Sequence, residues 1–331
     1  MNPVLVYVSM MFWHWLFFWQ FIVYMFAGWL WAMGYGWLLV LFVVYYLTRR
    51  FYFDSDLHIS GRGVWPTFMK SWMVDYAIAW FPIHLVRTQE LSWKKQYLFA
   101  VHPHGVMPWS IFPIGKSRQW GELFPGIVVR ALSASVVFHI PVVREAALWT
   151  GAVDASAFNA KKVLSSGSSL AVIPGGSAEL LESQPGTNVL VLKNRKGFIR
   201  LALQFGCDLV PVYAFGANEL YQQMRCGKQC RQRWLKKTQI AFTFAWGRSF
   251  FNLLPVRYSS SFLVTGVNQM RQQKRVPVWI VVGRPLPVEK KEDASQEEVD
   301  QLHERYLNHL RALFEEYKGK YGYDDAQLTI L

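Results

Sequence analysis

The chain has 331 residues, 52% of them hydrophobic and 17% aromatic, with a formal net charge of +13. So apolar and yet so basic a composition excludes a disordered chain and points to a membrane-associated protein that meets anions. Three cysteines, Cys207, Cys226 and Cys230, are too few for a disulfide framework, and no second pair or flanking histidine completes a zinc site.

Residues 1–48 carry no Asp, Glu, Lys or Arg, so the whole positive excess falls on residues 49–331. From Val4 to Leu47 the only strongly polar side chains are His14 and Gln20. A membrane span needs about 20 apolar residues, and this stretch is roughly twice that. It reads as a transmembrane helical hairpin, Val4–Phe26 and Trp29–Leu47, with a turn at Gly28, Gly34 or Gly36. Arg49 and Arg50 end it as a cytoplasmic stop, and Trp13, Trp15, Trp19, Trp29, Trp31 and Trp37 suit interfacial depth. The run lacks a basic leader and is too long for a cleavable signal. A hairpin domain of residues 1–50 followed by a second domain of residues 51–331 is the expected organisation. A second membrane contact is expected at Trp234–Leu254, an aromatic run flanked by Arg233, Lys236 and Lys237.

Beyond Arg50 short apolar runs alternate with helical stretches. Tyr97–Val101, Ile127–Arg130, Leu170–Ile173, Leu209–Tyr213 and Val278–Val282 read as buried strands. Lys196–Phe205 reads as a helix closed by Gly206. The last helix starts at Ser295 with Glu298 as its capping-box partner. Val299, Leu302, Tyr306, Leu310, Leu313 and Tyr317 form its apolar stripe. This alternation predicts an α/β domain.

Three constellations carry chemistry. His102-Pro103-His104-Gly105 follows a predicted strand, where α/β sheets gather ligands. Such a turn can present a neutral imidazole as base and backbone N–H donors to an oxyanion; two histidines in a purely structural turn are the alternative. No third ligand supports a metal reading, and none is expected. Pro174-Gly175-Gly176 follows another strand and can form an anion nest, with Glu179 either orienting an imidazole or capping a helix. Arg195, Lys196 and Arg200 place three cations at a helix start, against the helix dipole. That is unfavourable unless an anion binds there, the alternative being a solvated basic face. No recognition-helix motif accompanies the charge, so nucleic acid is not an expected partner.

Together these blocks resemble the diacylglycerol acyltransferases of the second type and their relatives, the monoacylglycerol and wax-alcohol acyltransferases. His102-Pro103-His104-Gly105 looks like the family's HPHG block, and Pro174-Gly175-Gly176 with Glu179 like its PGGxxE block. Arg195–Leu203 and Pro211–Tyr221, including Asn218 and Glu219, are similar to its long central motif. Val282-Gly283-Arg284-Pro285 and the last helix resemble its C-terminal block. The resemblance implies a glycerolipid-acyltransferase-like α/β fold and acyl-CoA as co-substrate with no bound cofactor. It also implies a diacylglycerol acceptor, the endoplasmic reticulum membrane with the catalytic domain facing the cytosol, and lipid droplets. Monoacylglycerol or a fatty alcohol as acceptor is the enzymatic alternative, and a lipid-droplet scaffold the non-enzymatic one. Membrane lipids are expected partners, and a homo-oligomer is left open. Related enzymes pair histidine with an aspartate five residues on, but Met107 and Trp109 stand there. The expected catalytic set is therefore His102 as base, His104 beside it and Glu179 as carboxylate partner. Pro103, Gly105, Gly175, Gly176, Arg195, Gly197, Phe198, Arg200, Asn218 and Glu219 are expected to bind substrate.

Overall fold

The computed structural model describes residues 3–18, 20–48, 56–57, 63–69, 71–80, 82–224, 226–238, 241, 243, 245–246 and 276–331. The uncharged N-terminal run forms three helices: α1 (Pro3–Phe18), α2 (Gln20–Ala32) and α3 (Gly36–Thr48). Short helices α4 (Pro66–Met69) and α5 (Trp72–Trp80) lead into the α/β region. That region runs β1 (Ile83–Arg87), β2 (Tyr97–His102), α6 (Arg118–Leu123), β3 (Val129–Ser133), α7 (Val143–Trp149), β4 (Ala152–Asp154), α8 (Ala157–Ser165), β5 (Ser169–Val172) and α9 (Gly176–Glu182). It continues with β6 (Val189–Leu190), α10 (Gly197–Phe205), β7 (Asp208–Phe215), β8 (Gln222–Gln223) and α11 (Lys228–Thr238). The remaining elements are β9 (Ala245–Trp246), β10 (Val278–Val282), α12 (Gln296–Lys318) and β11 (Thr329–Ile330).

Seven strands form one sheet in the order β1-β10-β7-β2-β5-β3-β4. Pairing is parallel except between β10 and β7. The central β2 is buried at every position, so it reads as a continuous apolar run rather than an alternating one. Its side chains alternate between two cores. Tyr97, Phe99 and Val101 join the core that contains residues of α1, α5 and α6. Leu98 and Ala100 join the other, formed with α8, α10 and α12. His102 continues the second set and so faces α10 and α12. Because β2, β5 and β7 run parallel, their C-terminal ends share one edge of the sheet.

The strand runs expected from sequence all fall on strands, with ends shifted by up to about three residues. Gly206 closes α10 in the left-handed conformation at φ 69°. Ser295 and Glu298 form the reciprocal capping box of α12. The five strands read from sequence leave out the edge strands β1 and β4, whose five and three residues give little periodicity.

The N-terminal helices differ from expectation. The turn falls at Met33–Tyr35, with Gly34 at φ 82°, and not at Gly28, which lies inside α2. α1 is packed on α5 and the α/β region: Val6, Ser9 and Trp13 are buried, and the Trp13 indole donates to the Met73 carbonyl at 3.2 Å. Trp13 therefore fills protein core and does not sit at an interface. α2 and α3 pack on each other with their apolar side chains outward. Trp29, Trp31, Trp37 and Phe42 are all more than half exposed, and no residue of α3 is buried. No helix among the described residues is long and apolar enough to cross a membrane. Arg49, Arg50, Trp19 and most of residues 239–254, the larger part of the second expected contact, lie outside the described residues, while Trp234 is exposed on α11.

Candidate active site

His102 is the last residue of β2, and His104 lies two residues beyond the sheet edge. Their environments differ. His102 has no exposed surface, and its Nε2 lies 2.8 Å from the Tyr306 hydroxyl on α12. Burial pushes this imidazole down to about 3, so it is neutral at any physiological pH. Its Nδ1 has no hydrogen-bond partner among the described residues.

His104 is half-buried, and its Nδ1 lies 2.8 Å from the Gly105 carbonyl. A carbonyl can only accept, so Nδ1 carries the proton and Nε2 keeps a free lone pair. Burial lowers this imidazole's pKa too, against the Gly105 bond that raises it. A neutral imidazole with the correct tautomer and an open Nε2 is what a general base requires.

Glu179 lies in the first turn of α9 and is almost wholly buried. Its Oε2 accepts the main-chain N–H of His104 at 2.9 Å, and its Oε1 accepts that of Val191 at 3.1 Å. It was expected to hold a histidine side chain; it holds the histidine's backbone instead. The histidine turn and the strand β6 segment both present unpaired N–H groups here, and one carboxylate satisfies both. Burial pushes the carboxyl up to about 7, while those two hydrogen bonds and the Arg195 charge pull the other way. Gly175 has no side chain because Glu179 curls back over it: a Cβ there would lie 2.6 Å from the Glu179 carboxyl carbon.

Gly105 is left-handed at φ 68°. The N–H groups of Gly105 and Gly175 have no acceptor among the described residues, whereas that of Gly176 closes a turn onto Ile173 at 3.1 Å. Gly105 and Gly175 are therefore two main-chain positions at the sheet edge with a free donor. The Pro103 carbonyl accepts from Ser110 Oγ at 3.2 Å, which fixes the far side of that turn.

The other expected residues divide in two. Phe198 packs on Tyr306 at 5.0 Å between ring centroids, so it buttresses the His102 side of the site. Arg195 is exposed, and close enough for its charge to act on Glu179. Gly197 and Arg200 face a cleft beyond it. Asn218 and Glu219 brace loops: Asn218 bonds Ser183 and Thr187 at 2.8 Å each, and Glu219 accepts from Gly186 at 2.8 Å. All three hydrogen bonds tie the end of β7 to the loop after α9.

Two contributors were not read from sequence. Tyr306 reads in the sequence as one more member of the α12 apolar stripe. The signal was present, since a hydroxyl in the middle of an apolar stripe needs a partner. Val191 contributes only a main-chain N–H, which no side-chain pattern reveals.

A family profile described as diacylglycerol acyltransferase matches residues 31–331. The 2-acylglycerol O-acyltransferase 1 of Mus musculus is 35% identical over 85% of this chain and 82% of that protein. The diacylglycerol O-acyltransferase 2A of Umbelopsis ramanniana is 32% identical over 85% of this chain and 79% of its own length. The diacylglycerol O-acyltransferase 2 of Homo sapiens is 31% identical over 86% of this chain and 72% of its own.

Proposed function

Because the chain belongs to the diacylglycerol acyltransferase family, and is thus an acyl-CoA-dependent acylglycerol acyltransferase, we propose that it acylates diacylglycerol to triacylglycerol with His104 as general base. The observation that carries the base assignment is the His104 tautomer, with Nδ1–H on the Gly105 carbonyl and Nε2 free. His104 is also the less buried of the two histidines, while His102 is sealed against Tyr306. The position of His102 directly after the strand had suggested it for the same role.

The reaction is a direct transfer. His104 Nε2 takes the proton from the acceptor hydroxyl, and the oxygen attacks the thioester carbonyl carbon. The N–H groups of Gly105 and Gly175 donate to the developing oxyanion. Collapse breaks the carbon–sulfur bond, and the imidazolium returns its proton to the CoA thiolate. Glu179 acts one step removed, by fixing the main chain that carries His104. Arg195 binds a phosphate of the donor, as an exposed arginine fork at the mouth of the site.

The protein works at a membrane in this reading, with the catalytic domain on the cytosolic face of the endoplasmic reticulum and lipid droplets. The embedded part is the α2–α3 hairpin. Each helix has 13 residues. That is about 20 Å of helix against about 30 Å of bilayer hydrocarbon, so the hairpin dips into one leaflet. The outward apolar faces of α2 and α3 support this.

A 2-monoacylglycerol acceptor is the second reading, favoured by the mouse relative of that name. Microsomes expressing the chain, given labelled oleoyl-CoA and a panel of diacylglycerol, 2-monoacylglycerol and fatty alcohol, test the proposal. Triacylglycerol as the main product from supplied diacylglycerol supports it. Transfer confined to monoacylglycerol or alcohol replaces the acceptor, and no transfer to any of them refutes it.

A further inference from the structure

A cleft of about 640 Å³ lies beside α10, on a different stripe of that helix from the one that meets Tyr306. Gly197, Arg200 and Gln204 face the cleft, while Phe198 faces Tyr306. The opposite wall is the start of α8, with its N-cap Ser156 and Lys161. The segment before α12 forms the rim and carries Lys291.

Four observations give this cleft a positive, uncompensated interior. α10 has no side-chain cap, so its first N–H groups are open. A Cβ on Gly197 would meet nothing within 4 Å, so a ligand can approach that backbone closely. Lys161 has no hydrogen-bond or ion-pair partner among the described residues. The Arg200 side chain bonds only the neutral amide of Gln296. Lys291 is paired with Glu298 at 2.6 Å, and the rim carboxylate Glu292 with Lys290 at 2.7 Å. Asp293 is then the one lining carboxylate without an ion pair among the described residues, set against two cations and two helix starts.

The cleft and the histidine turn are linked along the chain. Arg195, whose charge acts on Glu179, stands two residues before Gly197. α8, α10 and α12 build the core on the sheet face opposite the core containing α1 and α5. The cleft is thus on the side away from the helix that leads to the apolar hairpin. That position favours a soluble anion over a lipid headgroup.

We propose that this cleft seats the phosphorylated nucleotide end of the acyl-CoA donor. Lys161 and Arg200 bind the ribose 3′-phosphate, and the open start of α10 together with Arg195 takes the diphosphate. The thioester arm then runs past Arg195 to His104. This assignment rests on the acyl-CoA reading above and adds the place where the donor's phosphates bind.

The test uses the full chain in detergent micelles with two donors, oleoyl-CoA and oleoyl-3′-dephospho-CoA. The wild type should show a KM about tenfold or more lower for the phosphorylated donor, the scale of a charge-assisted contact. Lys161→Gln and Arg200→Gln should each raise the KM for oleoyl-CoA and hardly move that for the dephospho donor. Both side chains are exposed, so the fold should tolerate these changes. Equal KM values for the two donors in the wild type would overturn the proposal. So would variants that raise both alike, or that lose only sedimentation with phosphatidylserine vesicles. Should no transfer occur at all, the functional reading fails separately, and adenosine 3′,5′-bisphosphate binding still decides the cleft. Wild-type binding about tenfold tighter than that of Lys161→Gln supports it; equal binding refutes it.

Discussion

The carboxylate of Glu179 grips the main-chain N–H of His104 at 2.9 Å, across 75 residues of sequence. The histidine turn is thereby fixed through its backbone, and its imidazole stays outside the contact. The other oxygen of the same carboxylate reaches Val191 at 3.1 Å and ties the turn to β6.

Glu179 has a signature in pH. Burial raises its pKa from 4.5 to about 7. The sign follows: its contribution to stability is full below the unfolded value and is lost as pH rises through the folded one. Each unit is worth about 1.4 kcal/mol, so the loss is on the order of 3 kcal/mol. Glu179→Gln cannot ionise. Wild-type stability minus that of the variant should therefore fall between about pH 4.5 and 7, read by thermal unfolding. A difference that stays flat across that window would show that Glu179 does not titrate there.

Gly175→Ala is expected to act through the same contact. Its Cβ would lie 2.6 Å from the Glu179 carboxyl carbon, so one of the two must move. A displaced Glu179 releases the His104 N–H. Misplacing a catalytic group by about 1 Å costs up to a hundredfold in rate. The expected result is a kcat lowered ten- to a hundredfold, with the acyl-CoA KM changed far less. An unaltered kcat would mean that the turn holds without Glu179.

How much of this was legible beforehand depended on the kind of contact. The strands, the Gly206 stop and the Ser295–Glu298 box are local chemistry, and the sequence displayed them. Contacts between distant segments were not displayed. Glu179 to His104, His102 to Tyr306 and Asn218 to Ser183 join segments that no spacing rule relates. The N-terminal run shows the limit of composition. Its lack of charge marks an apolar surface, but only packing shows that Trp13 is covered by protein while Trp31 is left outside.

The C-terminal strand reaches the site by a hydrogen-bonded chain. β11 pairs with β6, and the Leu331 carbonyl accepts from Leu192 at 2.9 Å and Lys193 at 2.8 Å. Those residues follow Val191, which holds Glu179. Deleting Thr329–Leu331 should lower kcat about tenfold while leaving the proteolytic pattern of the folded domain intact. Full activity in the shortened chain would remove β11 from the account.

The hairpin is tested by removing residues 20–48 with a short linker in their place. α1 should stay docked through Val6 and Trp13, since those contacts are to the catalytic region. Most of the protein should then leave carbonate-washed membranes. A shortened chain that still pellets completely would place the main anchor elsewhere, with exposed Trp234 on α11 the first segment to examine.

The most direct test of the central claim compares His104→Ala with His102→Ala in single-turnover transfer from labelled oleoyl-CoA to diacylglycerol. A general base contributes about 10²–10⁴ in rate. His104→Ala should lose transfer by that factor at unchanged thermal stability. The wild-type rate should rise with pH about a midpoint below the ordinary histidine pKa of 6.5, since burial lowers that of His104. His102→Ala should lose stability, because it empties a fully buried position and leaves the Tyr306 hydroxyl only its long bond to the Ala100 carbonyl at 3.5 Å. A His104→Ala protein that transfers at the wild-type rate would contradict the account.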